Sequence, residues 1–121
     1  MNKLKAILVL IRFPNLVFIL LTQCLTYFFL ILPSVESPTL SLWEFLRLGL
    51  STVLIASAGY MINDYFDMGI DAVNKPQRVT IEKIFRRRTV ILGHILLNLI
   101  GFLLAAQLAY THVLLRVSLV Q

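Results

Sequence analysis

From Phe13 to Leu46 the chain carries no Lys or Arg, and the acids in that stretch are Glu36 and Glu44 alone. Soluble domains carry roughly 25% charged residues, whereas 14% of these 121 residues are charged and 59% are hydrophobic. The mean hydropathy is +0.86. The cations that exist are grouped. Lys3, Lys5 and Arg12 precede the first apolar stretch, while Lys75, Arg78, Lys83, Arg86, Arg87 and Arg88 follow the second, against the single acid Glu82. In lipid every backbone N–H and C=O must find its partner inside the segment, which a helix achieves. The expected class is therefore an all-α integral membrane protein. A basic run lying between two apolar stretches is explained by topology, so no nucleic-acid partner is expected.

Three spans can be placed, forming a single transmembrane domain over residues 1–121. The first covers about residues 16–32, with Leu4–Phe13 as an amphipathic lead-in and Pro14 marking a kink or restart. Pro33, Ser34, Ser37 and Pro38 make a polar turn, and Trp43 suits an interfacial anchor. The second covers about 46–62, and its helix should continue to Asp71 or Val73, because Pro76 disfavours helix at Lys75. The third covers about 89–110. Cys24 is the only cysteine, which excludes an intrachain disulfide. Arg12, Pro14 and Asn15 interrupt the N-terminal apolar run, so it reads as a retained span rather than a secretory signal. Both basic flanks should face the cytoplasm, since Lys and Arg gather on that side. The end of the second helix then lies where soluble phosphorylated compounds are available.

That helix end carries Asn63-Asp64-Tyr65-Phe66-Asp67-Met68-Gly69-Ile70-Asp71. At about 100° per helical residue, Asn63, Asp64, Asp67 and Asp71 fall within an arc of roughly 100°, and Tyr60 falls in the same arc. Neighbouring carboxylates repel unless a cation joins them. Hard oxygen ligands of this kind suit Mg²⁺ shared with a phosphate ester, which makes the stripe a candidate metal–diphosphate site. The plainer reading is a hydrated stripe that pairs with Lys75, Arg78 or Lys83. An EF-hand is excluded, because its alternating ligands, central Gly and terminal Glu are missing.

The pattern Asn63-Asp64-x-x-Asp67-x-x-x-Asp71 followed by Asn74-Lys75-Pro76-x-Arg78 resembles the first Asp-rich motif of the UbiA-type intramembrane prenyltransferases. Arg12 and Asn15 are also similar to that family. The resemblance implies a place in a nine-helix bundle with its cavity open to the cytoplasmic side, in a bacterial inner membrane. It implies Mg²⁺-dependent transfer of a polyprenyl group from an allylic diphosphate to a lipophilic acceptor, either an aromatic ring or an isoprenyl glycerol phosphate. Asn63, Asp64, Asp67 and Asp71 would bind metal, with Asp64, Asp67 and Asp71 as the catalytic acids. Asn63, Lys75, Arg78, Asn15 and Tyr60 would bind substrate, Tyr60 by turning its ring toward the allylic cation. Other helices of the same bundle and membrane lipid would be its partners.

The chain departs from the family in one respect: its members carry a second Asp-rich motif, and here no Asp follows Asp71. The 121 residues alone are therefore expected to be inactive, as an N-terminal portion of a prenyltransferase or a truncated product. Val79 also stands where the family pattern often has Pro. The non-enzymatic rival is a small membrane scaffold that binds cation or anionic lipid. His94 and Asn98, beside Gly93 and Gly101, are expected to serve interhelical hydrogen bonding and close packing. Gly49, Ser51, Ala56, Ser57, Ala58 and Gly59 give the second helix a smooth face.

Overall fold

A computed structural model describes residues 2–34, 40–74 and 84–120, and their side chains except those of 68–74. All regular structure among these residues is helical: α1 (Lys3–Leu10), α2 (Phe13–Leu25), α3 (Leu42–Asn74) and α4 (Arg87–Val120). A π-helical stretch, Thr26–Ile31, and a final turn, Leu32–Ser34, prolong α2. Three segments are long and apolar enough to cross a membrane: Phe13–Ser34, Leu42–Asp67 and Arg87–Val120. The last runs ten residues past Tyr110, because Val113, Leu114 and Leu115 continue the apolar pattern beyond the polar Thr111 and His112.

Local chemistry sets where each helix begins. Asn2 caps α1, its Oδ1 accepting from the Lys5 N–H at 2.8 Å. Ser41 and Glu44 form a reciprocal capping box on α3: the Glu44 N–H donates to Ser41 Oγ at 3.2 Å, and the Ser41 N–H donates to Glu44 Oε2 at 3.0 Å. Between α1 and α2 stands Arg12, with φ 52°. Its N–H closes the end of α1 on the Val9 carbonyl at 3.1 Å, and its own carbonyl accepts from Asn15 at 2.8 Å to open α2. Pro14 sits in the first turn of α2, where its missing N–H costs nothing.

The middle helix is α3, with α2 on one side and α4 on the other. Small residues let α4 approach closely. Ser51 Oγ donates to the Gly101 carbonyl at 2.7 Å, and a Cβ on Gly101 would lie 3.1 Å from the Ser51 carbonyl oxygen. About two turns further along, His94 Nδ1 donates to the Ala58 carbonyl at 2.8 Å, and the Asn98 amide lies 3.3 Å from the imidazole. These are the hydrogen-bonding and packing roles expected of that pair. On the other side, Gln23 Nε2 donates to Thr52 Oγ1 at 2.9 Å. Tyr27 stacks on Phe45 with centroids 4.3 Å apart and donates to the Leu40 carbonyl at 2.7 Å. Leu10, Met61 and Val90 form a compact apolar knot that ties α1, α3 and α4 together. Elsewhere large side chains such as Phe18, Phe29, Leu92 and Phe102 point outward, as lipid-facing or helix-facing residues do.

Candidate functional site

The acidic stretch continues α3 directly from its packed middle, so the knot formed by Leu10, Met61 and Val90 fixes where the acids project. Asp64, one turn beyond Met61, is only 5% exposed. Its Oδ1 receives Arg12 Nη2 at 3.0 Å, a contact that joins the α1–α2 break to α3 across 52 residues of sequence. The same guanidinium lies 5.3 Å from the centroid of the Tyr60 ring, a cation–π geometry. On the outer side of the helix, Asn63 Nδ2 donates to Asp67 Oδ2 at 3.0 Å.

The stripe is therefore divided. Asp64 turns inward to a cation, while Asn63 and Asp67 bond to each other on a more open flank. The helical period explains this: Asn63 and Asp67 are about 40° apart, whereas Asp64 lies about 60–100° from either. Burial of the carboxylate is tolerable because it is paired. Tyr60 presents its ring to Arg12. Asn15 is exposed on the first turn of α2 and lines a surface groove with Lys5, Leu8, Arg12 and Pro14. The N-cap of α2 is Arg12. The side chain of Asp71 and the whole of Lys75 and Arg78 lie outside the described residues.

The left-handed backbone at Arg12 was not legible from the sequence. For a non-glycine residue it costs about 1–2 kcal/mol, and such residues persist where the surroundings over-determine them. Here the surroundings are the two helix ends, the carboxylate and the ring. Carboxylate and carboxamide oxygens are the donor types that Mg²⁺ accepts, so the acidic end fits the ion in chemistry. Among the described residues, no three His, Cys, Asp or Glu side chains gather as a ready-made metal cluster.

An apolar cavity of about 510 Å³ opens at the α2–α3 seam, lined by Phe18, Thr22, Gln23, Tyr27, Phe45 and Leu48 among others. Sixteen residues separate Leu48 from Asp64, which is about 24 Å along a helix. The cavity is therefore remote from the acids.

Residues 16–120 match the UbiA prenyltransferase family. The chain belongs to that family. A digeranylgeranylglyceryl phosphate synthase from Ignicoccus hospitalis is 61% identical over 28 residues, or 23% of this chain and 9% of that relative. The chain thus spans a small part of the curated relative it matches. No solved structure gives a significant match. The acidic end of α3 falls within the matched residues, and Arg12 lies just before them.

Proposed function

We propose that this chain supplies the diphosphate-binding helix of a prenyltransferase that moves a polyprenyl group from an allylic diphosphate to a lipophilic acceptor. The observation that carries the reading is the acidic end of α3, where Asp64 is held by Arg12 and Asn63 by Asp67. Family membership favours an enzyme over the scaffold. The name of the Ignicoccus hospitalis relative favours an isoprenyl glycerol phosphate over an aromatic ring as acceptor.

In this reading the allylic C–O bond breaks, and its electron pair leaves with the diphosphate. A new C–O bond then forms to the acceptor hydroxyl, which loses its proton. Asn63, Asp64, Asp67 and Asp71 would hold Mg²⁺, which when bound supplies charge stabilisation to the departing diphosphate. Lys75 and Arg78 would neutralise the same group directly. Tyr60 and Asn15 would border the substrate. The apolar faces of α2, α3 and α4 would carry the polyprenyl tail, within a bundle completed by further helices. The basic residues 75–88 favour a cytoplasmic position for this end of α3.

The test is a transfer assay on membranes carrying the full-length gene product, with a labelled prenyl diphosphate and a panel of acceptors. Mg²⁺-dependent label should appear in the isoprenyl glycerol phosphate product. Correctly inserted protein that transfers to no acceptor in the panel would refute the proposal.

A further inference from the structure

We infer that Arg12 is a positioning residue that sets the orientation of the Asp64 carboxylate, an assignment that rests on the proposed function above. Four independent observations converge on it. Arg12 is the one non-glycine residue with positive φ among the described residues. Its backbone both ends α1 and begins α2, through bonds to Val9 and from Asn15. Its Nη2 lies 3.0 Å from Asp64 Oδ1. Its guanidinium is braced against the Tyr60 ring at 5.3 Å.

A long side chain on a regular helix would sample several rotamers. At this break the backbone direction, the carboxylate and the ring together select one. The contact is a single Nη2–Oδ1 bond, so Arg12 anchors Oδ1 and leaves the other carboxylate oxygen to be presented elsewhere. Asp64 belongs to the helix that carries Asn63 and Asp67, so the twist of its carboxylate determines which oxygen is presented alongside theirs. Arg12 acts through Asp64, in the manner of the outer partners that orient metal ligands. Local sequence gives no sign of this, because the two residues are 52 positions apart.

The experiment compares Arg12→Gln and Arg12→Lys with the parent in the full-length protein. It measures kcat, KM for the prenyl diphosphate, and unfolding temperature in detergent. Arg12→Gln should lower kcat by about 10–100-fold, the loss typical of removing an orienting partner, while KM changes far less. Arg12→Lys should recover part of that kcat by restoring the charge. If Arg12 merely clamped α1 to α3, Arg12→Gln would lower the unfolding temperature but leave kcat per folded molecule unchanged. That result would overturn the inference.

A cycle of Arg12→Gln, Asp64→Asn and the double variant, read by unfolding temperature, tests the pair without any turnover. Non-additive shifts support the pairing, and strictly additive shifts refute it. Absence of transfer by the parent would remove the proposed function and the catalytic part of this assignment, with the cycle still deciding the pair.

Discussion

Replacing each of three glycines by alanine should give three different results, and Gly101→Ala should be the costly one. A Cβ there would meet Ile55 Cγ1 at 2.7 Å, the Ser51 carbonyl oxygen at 3.1 Å and Leu54 Cβ at 3.3 Å. Ile55 can swing aside, but the other two atoms move only if α3 and α4 separate. Overpacking of this kind costs about 1–3 kcal/mol. Weakening the Ser51–Gly101 hydrogen bond adds about 0.6 kcal/mol, the usual value within a membrane. Against this, alanine is roughly 0.5–1 kcal/mol better than glycine inside a helix. The net loss is about 0.6–3 kcal/mol, or roughly three- to two-hundredfold in the ratio of folded to unfolded protein. At Gly93 the clash is with Met61 Cε at 2.6 Å, the far end of a pliable side chain, so Gly93→Ala should change stability by less than about 0.5 kcal/mol. At Gly59, apart from its own helix backbone, no described atom lies within 4 Å of the added Cβ, and alanine should stabilise by roughly 0.5–1 kcal/mol. Equilibrium unfolding in mixed micelles, followed by far-ultraviolet circular dichroism, reads all three. Gly101→Ala as stable as the parent, or Gly59→Ala as costly as Gly101→Ala, would refute the packing argument.

Asp67→Asn in the full-length protein should lower prenyl transfer by about 10²–10³-fold, the loss seen when one preorganised electrostatic contact is removed; membrane fractionation should show unchanged insertion. Chelation with excess EDTA should abolish transfer and added Mg²⁺ should restore it, whereas full activity in EDTA would exclude the ion from the reaction. His94→Ala removes the bond to the Ala58 carbonyl and should cost about 0.6–1.7 kcal/mol in the same unfolding experiment, without altering KM.

The helical class and the positions of the apolar segments could be read from composition and charge placement, because lipid leaves the backbone few options. Pro14 correctly signalled the restart at Phe13, since a residue without an N–H fits a first turn. The acidic arc was legible from the helical period. Its division into an inward Asp64 and an outward Asn63–Asp67 pair was not, because that depends on where Arg12 stands. Arg12 drew notice as a flanking charge, a break in the apolar run and a family resemblance, but not as a partner of Asp64. Its partner is non-local, and its left-handed backbone is rare for arginine. The third span was placed at about 89–110, and the helix that carries it runs on through Thr111 and His112 to Val120. His112 in fact lies 3.4 Å from Glu44 at the start of α3, a cross-helix contact that no local pattern announces.

The π-helical turn from Thr26 to Ile31 has a consequence for how this span tolerates change. Bonding from i to i+5 winds in one more residue than an α-turn holds, so everything downstream is rotated by about 100° relative to an uninterrupted α-helix. The coil follows Gln23, which is matched to Thr52, and holds Tyr27, whose hydroxyl donates to the Leu40 carbonyl. Deleting Phe28 would tighten the coil back to α-geometry at little backbone cost, yet it would re-aim Phe29 through Ser34 toward different neighbours and leave the Tyr27–Phe45 stack in place. Single-residue length variation in this span is therefore a means of choosing which side chains beyond Tyr27 face neighbouring helices.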